Sequence, residues 1–240
     1  MLKRYASIKK QLINKTYDQN RRNFDKIVSL WVYYVTRPIS FIVTPFFIIC
    51  GFSANASTLF GFVLGILSFI FSIYGELFYA ALFYNLFLIF DSVDGNIARL
   101  NGPTVNGEYF DAITGDLINF LFLPFIGFGI YYNGSDYFLM KIVTNQSLFI
   151  ISLIVSILQL LFILNAQRKK IIFGNKKNVP VRIGSGKIVS SIEYIIRNSF
   201  GFAFNAPISL ILTYYDSIDI LIIYNFVAMP FILLFSIFRK

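Results

Sequence analysis

Nine consecutive residues, Asp91, Ser92, Val93, Asp94, Gly95, Asn96, Ile97, Ala98 and Arg99, end one apolar stretch of the chain. They combine two carboxylates, a glycine, a small residue and an arginine, and Gly107 and Asp111 follow at the head of the next apolar stretch. Carboxylates at a membrane boundary are costly and usually hold a cation or a substrate. Asp91 and Asp94 stand three residues apart, which puts both on one face of a helix. A polar turn, Asn101-Gly102-Pro103, reverses the chain, so a hairpin brings Asp111 opposite the pair. Three carboxylates converging from two antiparallel helices are hard oxygen donors suited to magnesium or manganese, ions that share their shell with phosphate and water. Gly95 and Ala98 leave room for a ligand against the backbone, and Arg99 supplies a fixed positive charge for a phosphate or an anchoring carboxylate. Gly107, Asp111 and Gly115 recur every four residues, a face that permits close helix approach. The chemistry indicated is chemistry on a phosphate.

The elements that must position these groups are membrane helices. Of 240 residues, 57% are hydrophobic, more apolar surface than a soluble domain can bury. The net charge of +9 sits beside apolar runs, a distribution that fits the positive-inside rule and anionic headgroups and argues against nucleic acid. The chain has no histidine, so a general base must be a carboxylate, or less readily lysine or tyrosine, and zinc is poorly served. Its one cysteine, Cys50, allows no intrachain disulfide and reads as a small apolar residue. The first 25 residues are basic without a continuous apolar core, and so do not read as a secretory signal.

The expected fold is an all-α membrane protein, six transmembrane helices preceded by an N-terminal amphipathic interfacial helix. Residues 1–51 form a basic N-terminal segment and residues 52–240 the transmembrane domain. Phe24, Ile27, Val28, Trp31, Val32 and Val35 follow helical spacing and predict a helix lying in the interface. Pro38 predicts a break at Arg37, and residues 39–51, which carry Pro45, read as interfacial or re-entrant. Six spans are expected at about 58–74, 77–98, 108–131, 147–164, 198–215 and 218–238. Arg168, Lys169, Lys170, Lys176, Lys177, Arg182 and Lys187 then share one side with the basic N-terminus and Arg239-Lys240. The opposite loops carry a single basic residue, Lys141. That asymmetry places both termini and residues 91–111 on the cytoplasmic side, where nucleotides are available.

Residues 91–111 resemble the signature of the CDP-alcohol phosphatidyltransferases, D-x2-D-G-x2-A-R, a short gap, then G-x3-D-x3-D. Arg37-Pro38-Ile39-Ser40 and Asn55-x-x-Thr58 are similar to the family's interfacial-helix exit and the entry to its first span. The resemblance is strong over residues 30–131 and topological beyond. It implies an enzyme of phospholipid biosynthesis in a prokaryotic plasma membrane that transfers a phosphatidyl or related phospho-alcohol group from a CDP-alcohol to a hydroxyl acceptor, releasing CMP. By position, Asp91, Asp94 and Asp111 are implied as ligands of Mg2+ or Mn2+. Asn55, Thr58, Gly95, Ala98, Arg99 and Gly107 are implied in substrate binding, with Asp111 also in catalysis. The implied partners are the CDP-linked substrate, the acceptor and anionic lipids; nucleic acid is not among them, and a homodimer is left open.

The pattern is broken at one place. Its fourth aspartate falls on Gly115, and the nearest acid is Asp116. The gap from Arg99 to Gly107 holds seven residues where eight is commoner, so Asp116 keeps the usual distance from Arg99. Residues five apart on an α-helix diverge by about 140°. A π-bulge would return Asp116 to the Asp111 face, and on that preferred reading Asp116 joins both the catalytic and the metal-binding groups. Two other classes remain beside the enzyme. A non-catalytic CDP-lipid-binding or scaffold protein would explain the displaced acid. A cation-coupled transporter ranks last, because the acids cluster at one membrane edge rather than at its middle. Arg99 as a plain cytoplasmic anchor and Asn55 as a plain cap also stand as alternatives.

Overall fold

The computed structural model describes residues 2–134, 137–139, 142–172 and 202–238. All regular structure among them is helical. The N-terminus forms α1 (Leu2–Thr16) and α2 (Gln19–Val28), the latter capped by Asp18, whose carboxylate accepts from the Arg21 N–H at 2.8 Å. The amphipathic helix expected through Val35 is interrupted, because Ser29 adopts extended backbone (φ −159°, ψ 119°). The break expected at Pro38 is absent. A π-turn at Val32–Thr36, in which the Arg37 N–H donates to the Val32 carbonyl, runs straight into α3 (Arg37–Ile49). Widening the helix here moves the preceding carbonyls away from the proline ring, which would otherwise clash one turn back.

The bundle consists of α4 (Ala54–Ile73), α5 (Leu77–Asn101), α6 (Val105–Asn133), α7 (Asn145–Ile172), α8 (Phe202–Tyr214) and α9 (Asp219–Phe238). Six described helices are long and apolar enough to cross a membrane: Val32–Ile49, Ala54–Ile73, Leu77–Asn101, Val105–Asn133, Asn145–Asn165 and Asp219–Ile237. The protein is an all-α membrane protein. Length alone does not send Val32–Ile49 through the bundle. Arg37, at its start, reaches Asn96 near the end of α5, and the chain leaves α3 to enter α4 beside that same end. Between these points Phe47 packs with Phe90, Val93 and Ile97. The helix therefore packs across the end of α5 that leads into the cleft. The described part of the expected fifth span is α8, with a short apolar stretch Phe204–Tyr214, and the start of that span lies outside the described residues.

The central helix is α4, which packs along both α5 and α6, whereas the α5 and α6 backbones come close at few points and meet mainly through side chains such as Tyr84 on Phe122. Small residues permit this: a Cβ on Gly65 would come within 2.5 Å of Ile118 Cδ1, and such close approach is the main source of attraction where lipid is as apolar as the helix faces. Hydrogen bonds add to it. Ser68 Oγ donates to the Ala80 carbonyl at 2.7 Å, and Asn85 Nδ2 ties α5 to α8 through the Ala206 carbonyl at 2.8 Å. The outer helix α7 packs on α6 and α9.

Candidate active site

Three helix ends meet where α5 and α6 part. The start of α4 is capped by Ser53, whose hydroxyl accepts from the Ala56 N–H at 3.2 Å. The end of α5 is closed by Gly102 at φ +97°, backbone that a side chain would strain. The start of α6 is capped by Thr104, whose hydroxyl accepts from the Gly107 N–H at 3.1 Å. These ends enclose a cleft of about 270 Å³.

The cleft gathers most of the sequence-derived residues. Asn55, Thr58, Asp94, Gly95, Ala98, Gly107 and Asp111 all line it. Thr58 Oγ1 donates to Asp94 Oδ2 at 2.8 Å, joining α4 to α5. The other oxygen, Asp94 Oδ1, is buried and has no hydrogen-bond partner among the described residues. Asn55 Oδ1 would lie 3.1 Å from a Cβ at position 107, so glycine there lets the first turns of α4 and α6 close on each other. Asp91 is not part of the lining; it is exposed and faces α6 at Gly115, where a Cβ would sit 3.9 Å from its Oδ1. Asp91, Asp94 and Asp111 are within electrostatic range of one another.

Arg99 folds back over its own helix. A Cβ on Gly95 would be 3.2 Å from Arg99 Nη1, so the glycine makes room for a guanidinium. Its Nη2 donates to Asn96 Oδ1 at 2.9 Å. Beyond Asn96 lies a buried chain of charges. Arg37 Nη1 donates to the same Oδ1 at 3.4 Å, and Arg37 Nε donates to Asp25 Oδ2 at 2.8 Å. Arg21 pairs with Asp25 Oδ1 at 3.2 Å. Burial pulls the Arg21 guanidinium below its usual pKa, with the Asp25 carboxylate opposing that shift.

The π-bulge expected between Asp111 and Asp116 is not formed. From Val105 to Asn133 the backbone is an uninterrupted α-helix. Position 115 therefore faces Asp91, and Asp116 sits further round the helix, outside the cleft lining though still within electrostatic range of Asp111. Two groups went unread in the sequence. Glu108 lines the cleft from the first turn of α6, and Asn96, an unmarked position of the motif, joins Arg37 to Arg99. The glycine-flanked start of α6 was a signal for the first; nothing local marks the second.

The residues fit a divalent cation by their chemistry. None of Asp91, Asp94 and Asp111 takes part in a salt bridge among the described residues, and one Asp94 oxygen is orphaned. Of the three only Asp94 is buried, Asp111 is half-buried and Asp91 is exposed; a buried carboxylate without a counter-charge calls for a cation. Among the described residues no three acid, thiol or imidazole side chains are already drawn together tightly enough to hold one ion.

The family model for CDP-alcohol phosphatidyltransferase matches residues 52–237. The chain belongs to that family. Membership makes it an integral membrane phosphotransferase with CDP-alcohol chemistry in general. No curated protein matches it closely enough to narrow that activity.

Proposed function

We propose that this protein transfers a phosphatidyl or related phospho-alcohol group from a CDP-alcohol to a hydroxyl acceptor, with release of CMP, in membrane lipid synthesis. The observation that carries the reading is a set of carboxylates without an ion pair among the described residues, Asp94 of α5 and Asp111 of α6 lining the cleft and Asp91 one turn before Asp94 on α5. Asp91, Asp94 and Asp111 would hold Mg2+ or Mn2+, which when bound offsets negative charge on the diphosphate and the leaving group. Asn55, Gly95, Ala98 and Gly107 shape the walls against which the nucleotide rests, and Thr58 holds the Asp94 carboxylate in place. In the transfer the acceptor oxygen bonds to the phosphorus that carries the alcohol. The bond from that phosphorus to the bridging oxygen breaks, the electron pair leaves with CMP, and the acceptor proton passes to a carboxylate, a role proposed for Asp111, which lines the cleft. Asp116, turned away from Asp91, is assigned no ligand role.

The deciding experiment is CMP release by purified protein from CDP-diacylglycerol with a panel of alcohols and phospho-alcohols. Release that needs Mg2+ or Mn2+ and vanishes in excess EDTA is the expected outcome; full release in EDTA overturns the metal assignment. Binding of CDP-lipid without turnover on any acceptor favours the non-catalytic reading, which the glycine at position 115 keeps in play.

The cleft is proposed to face the cytoplasm of a prokaryotic cell. The basic helix α1, with Lys3, Arg4, Lys9, Lys10 and Lys15, packs against α3 and α5, and Tyr5 Oη donates to the Ile42 carbonyl at 2.9 Å. The basic end of the chain and the cleft thus share one side, which the positive-inside rule makes cytoplasmic. The basic residues beyond Ile172 lie outside the described residues. A Lys176→Cys variant in a Cys50→Ser background should resist an impermeant thiol reagent in intact cells and react after lysis. Labelling in intact cells reverses the orientation.

A further inference from the structure

Resting on the proposed role of Arg99 as a fixed charge for a phosphate, and on its exposed guanidinium lying over Gly95 of the cleft wall, we infer that Asn96 is a positioning residue that aims the Arg99 guanidinium while leaving its charge available to an anionic ligand. Asn96 is fully buried, two residues beyond Asp94 and so on the opposite side of α5 from the cleft. All its polar valences are filled. Oδ1 accepts from Arg99 Nη2 at 2.9 Å and from Arg37 Nη1 at 3.4 Å, while Nδ2 donates to Ser40 Oγ at 3.0 Å and Thr44 Oγ1 at 3.2 Å.

The amide has only one workable orientation. The Ser40 and Thr44 hydroxyls donate their own hydrogens to the Arg37 and Ser40 carbonyls, at 2.8 Å and 2.7 Å. A flipped amide would set its oxygen against two hydroxyls with no hydrogen to give and its NH2 against two guanidinium groups. α3 thereby fixes the oxygen that Arg99 meets. Arg37 is fixed in turn by Asp25, which takes Nε at 2.8 Å and Nη2 at 3.4 Å, both residues being almost fully buried.

The chemical choice at position 96 has a reason. Arg37 has a carboxylate partner, whereas Arg99 has none among the described residues. An aspartate at position 96 would accept the same hydrogen bonds but neutralise Arg99, removing the charge a phosphate needs. A neutral amide holds the guanidinium without that loss. The same contacts link Arg99 to the N-terminal helices α2 and α3, so the anchor of its geometry lies outside the α4–α6 bundle.

The test is a double-mutant cycle on the purified full-length protein, reading CMP release against CDP-alcohol concentration. Asn96→Leu and Asn96→Asp should each raise KM about tenfold with kcat falling less than about threefold, and in an Arg99→Ala background Asn96→Leu should add less than about a twofold change. Equal tenfold effects in both backgrounds would mean that Asn96 acts independently of Arg99, and would overturn the inference. If Asn96→Leu does not yield folded protein, Asn96→Asp decides: a wild-type KM overturns the proposal and a raised one supports it. Should the unmodified protein release no CMP, the cycle is read by the Kd for CDP. Coupling there upholds the positioning role while the transfer reading falls, and absence of coupling, or of CDP binding, removes it.

Discussion

The two ends of the α4–α5–α6 trio are built on opposite terms. At the end away from the cleft the helices are glued. Phe69 stacks on Phe125 with centroids 4.4 Å apart and Tyr84 on Phe122 at 3.9 Å. A Cβ on Gly129 would collide with the Ser72 carbonyl, and Asn133 Nδ2 donates across to the Ile73 carbonyl at 3.0 Å. At the cleft end small residues meet polar ones, and the Asp94 Oδ1 has no hydrogen-bond partner among the described residues. Close packing at one end gives a rigid frame, which lets the other end keep acids without an ion pair among the described residues instead of letting them relax onto nearby donors. Loss of function and loss of stability should accordingly separate along the same pair of helices.

The largest effect on turnover is expected from Asp94→Asn, which keeps the shape and the Thr58 contact but removes a charge. CMP release should fall about 100-fold or more, with an unchanged thermal transition. A variant retaining more than a tenth of the activity would mean that Asp94 is a structural acid, and the contrast between the ends would lose its chemical half.

At the packed end the reverse is expected. Phe122→Ala removes a fully buried ring stacked on Tyr84. In an aqueous core such a truncation costs about 3–5 kcal/mol; between membrane helices the transfer part shrinks, because lipid is equally apolar, and about 1–3 kcal/mol remains for the cavity and lost contacts. Unfolding in detergent should show that loss, with turnover at low temperature little changed. A dead but fully stable Phe122→Ala protein would show that the two ends are not separable.

What was legible in the sequence was local. Asp91 and Asp94 fall on one helix face because they are three apart, and the Gly102 turn and the apolar lengths of α4, α5 and α6 follow from composition. The N-terminal layer was harder. Trp31 and Val35 carry the right periodicity, yet Ser29 breaks the helix before them, and Pro38 is tolerated because a π-turn precedes it. Neither event has a periodic signature. Asn96 meets Arg37 across 59 residues of chain, and such pairings arise only when α3 is laid across α5. The tie between α4 and α5 at Asp94 was likewise invisible, since Thr58 stood out only through family resemblance.

Asp116 is where local spacing pointed the wrong way, and it offers the finest test of the comparison. Its constant distance from Arg99 favoured a shifted ligand restored by a bulge, but α6 is an unbroken α-helix there. Five residues then turn its carboxylate about 140° from Asp111, while Gly115 presents bare backbone to Asp91. With Asp111 lining the cleft and Asp116 outside it, the two acids should respond unequally to the same change. Asp111→Asn should abolish CMP release, whereas Asp116→Asn should keep it within about threefold, a difference of about 0.7 kcal/mol in barrier, and leave the Mg2+ concentration for half-maximal activity unmoved. The remaining small effect would come from charge, since Asp116 acts on Asp111 through space. Equal loss in both variants, with a raised Mg2+ requirement in each, would mean that the helix rearranges around the metal and that the open end of the trio is less rigidly framed than its packed end implies.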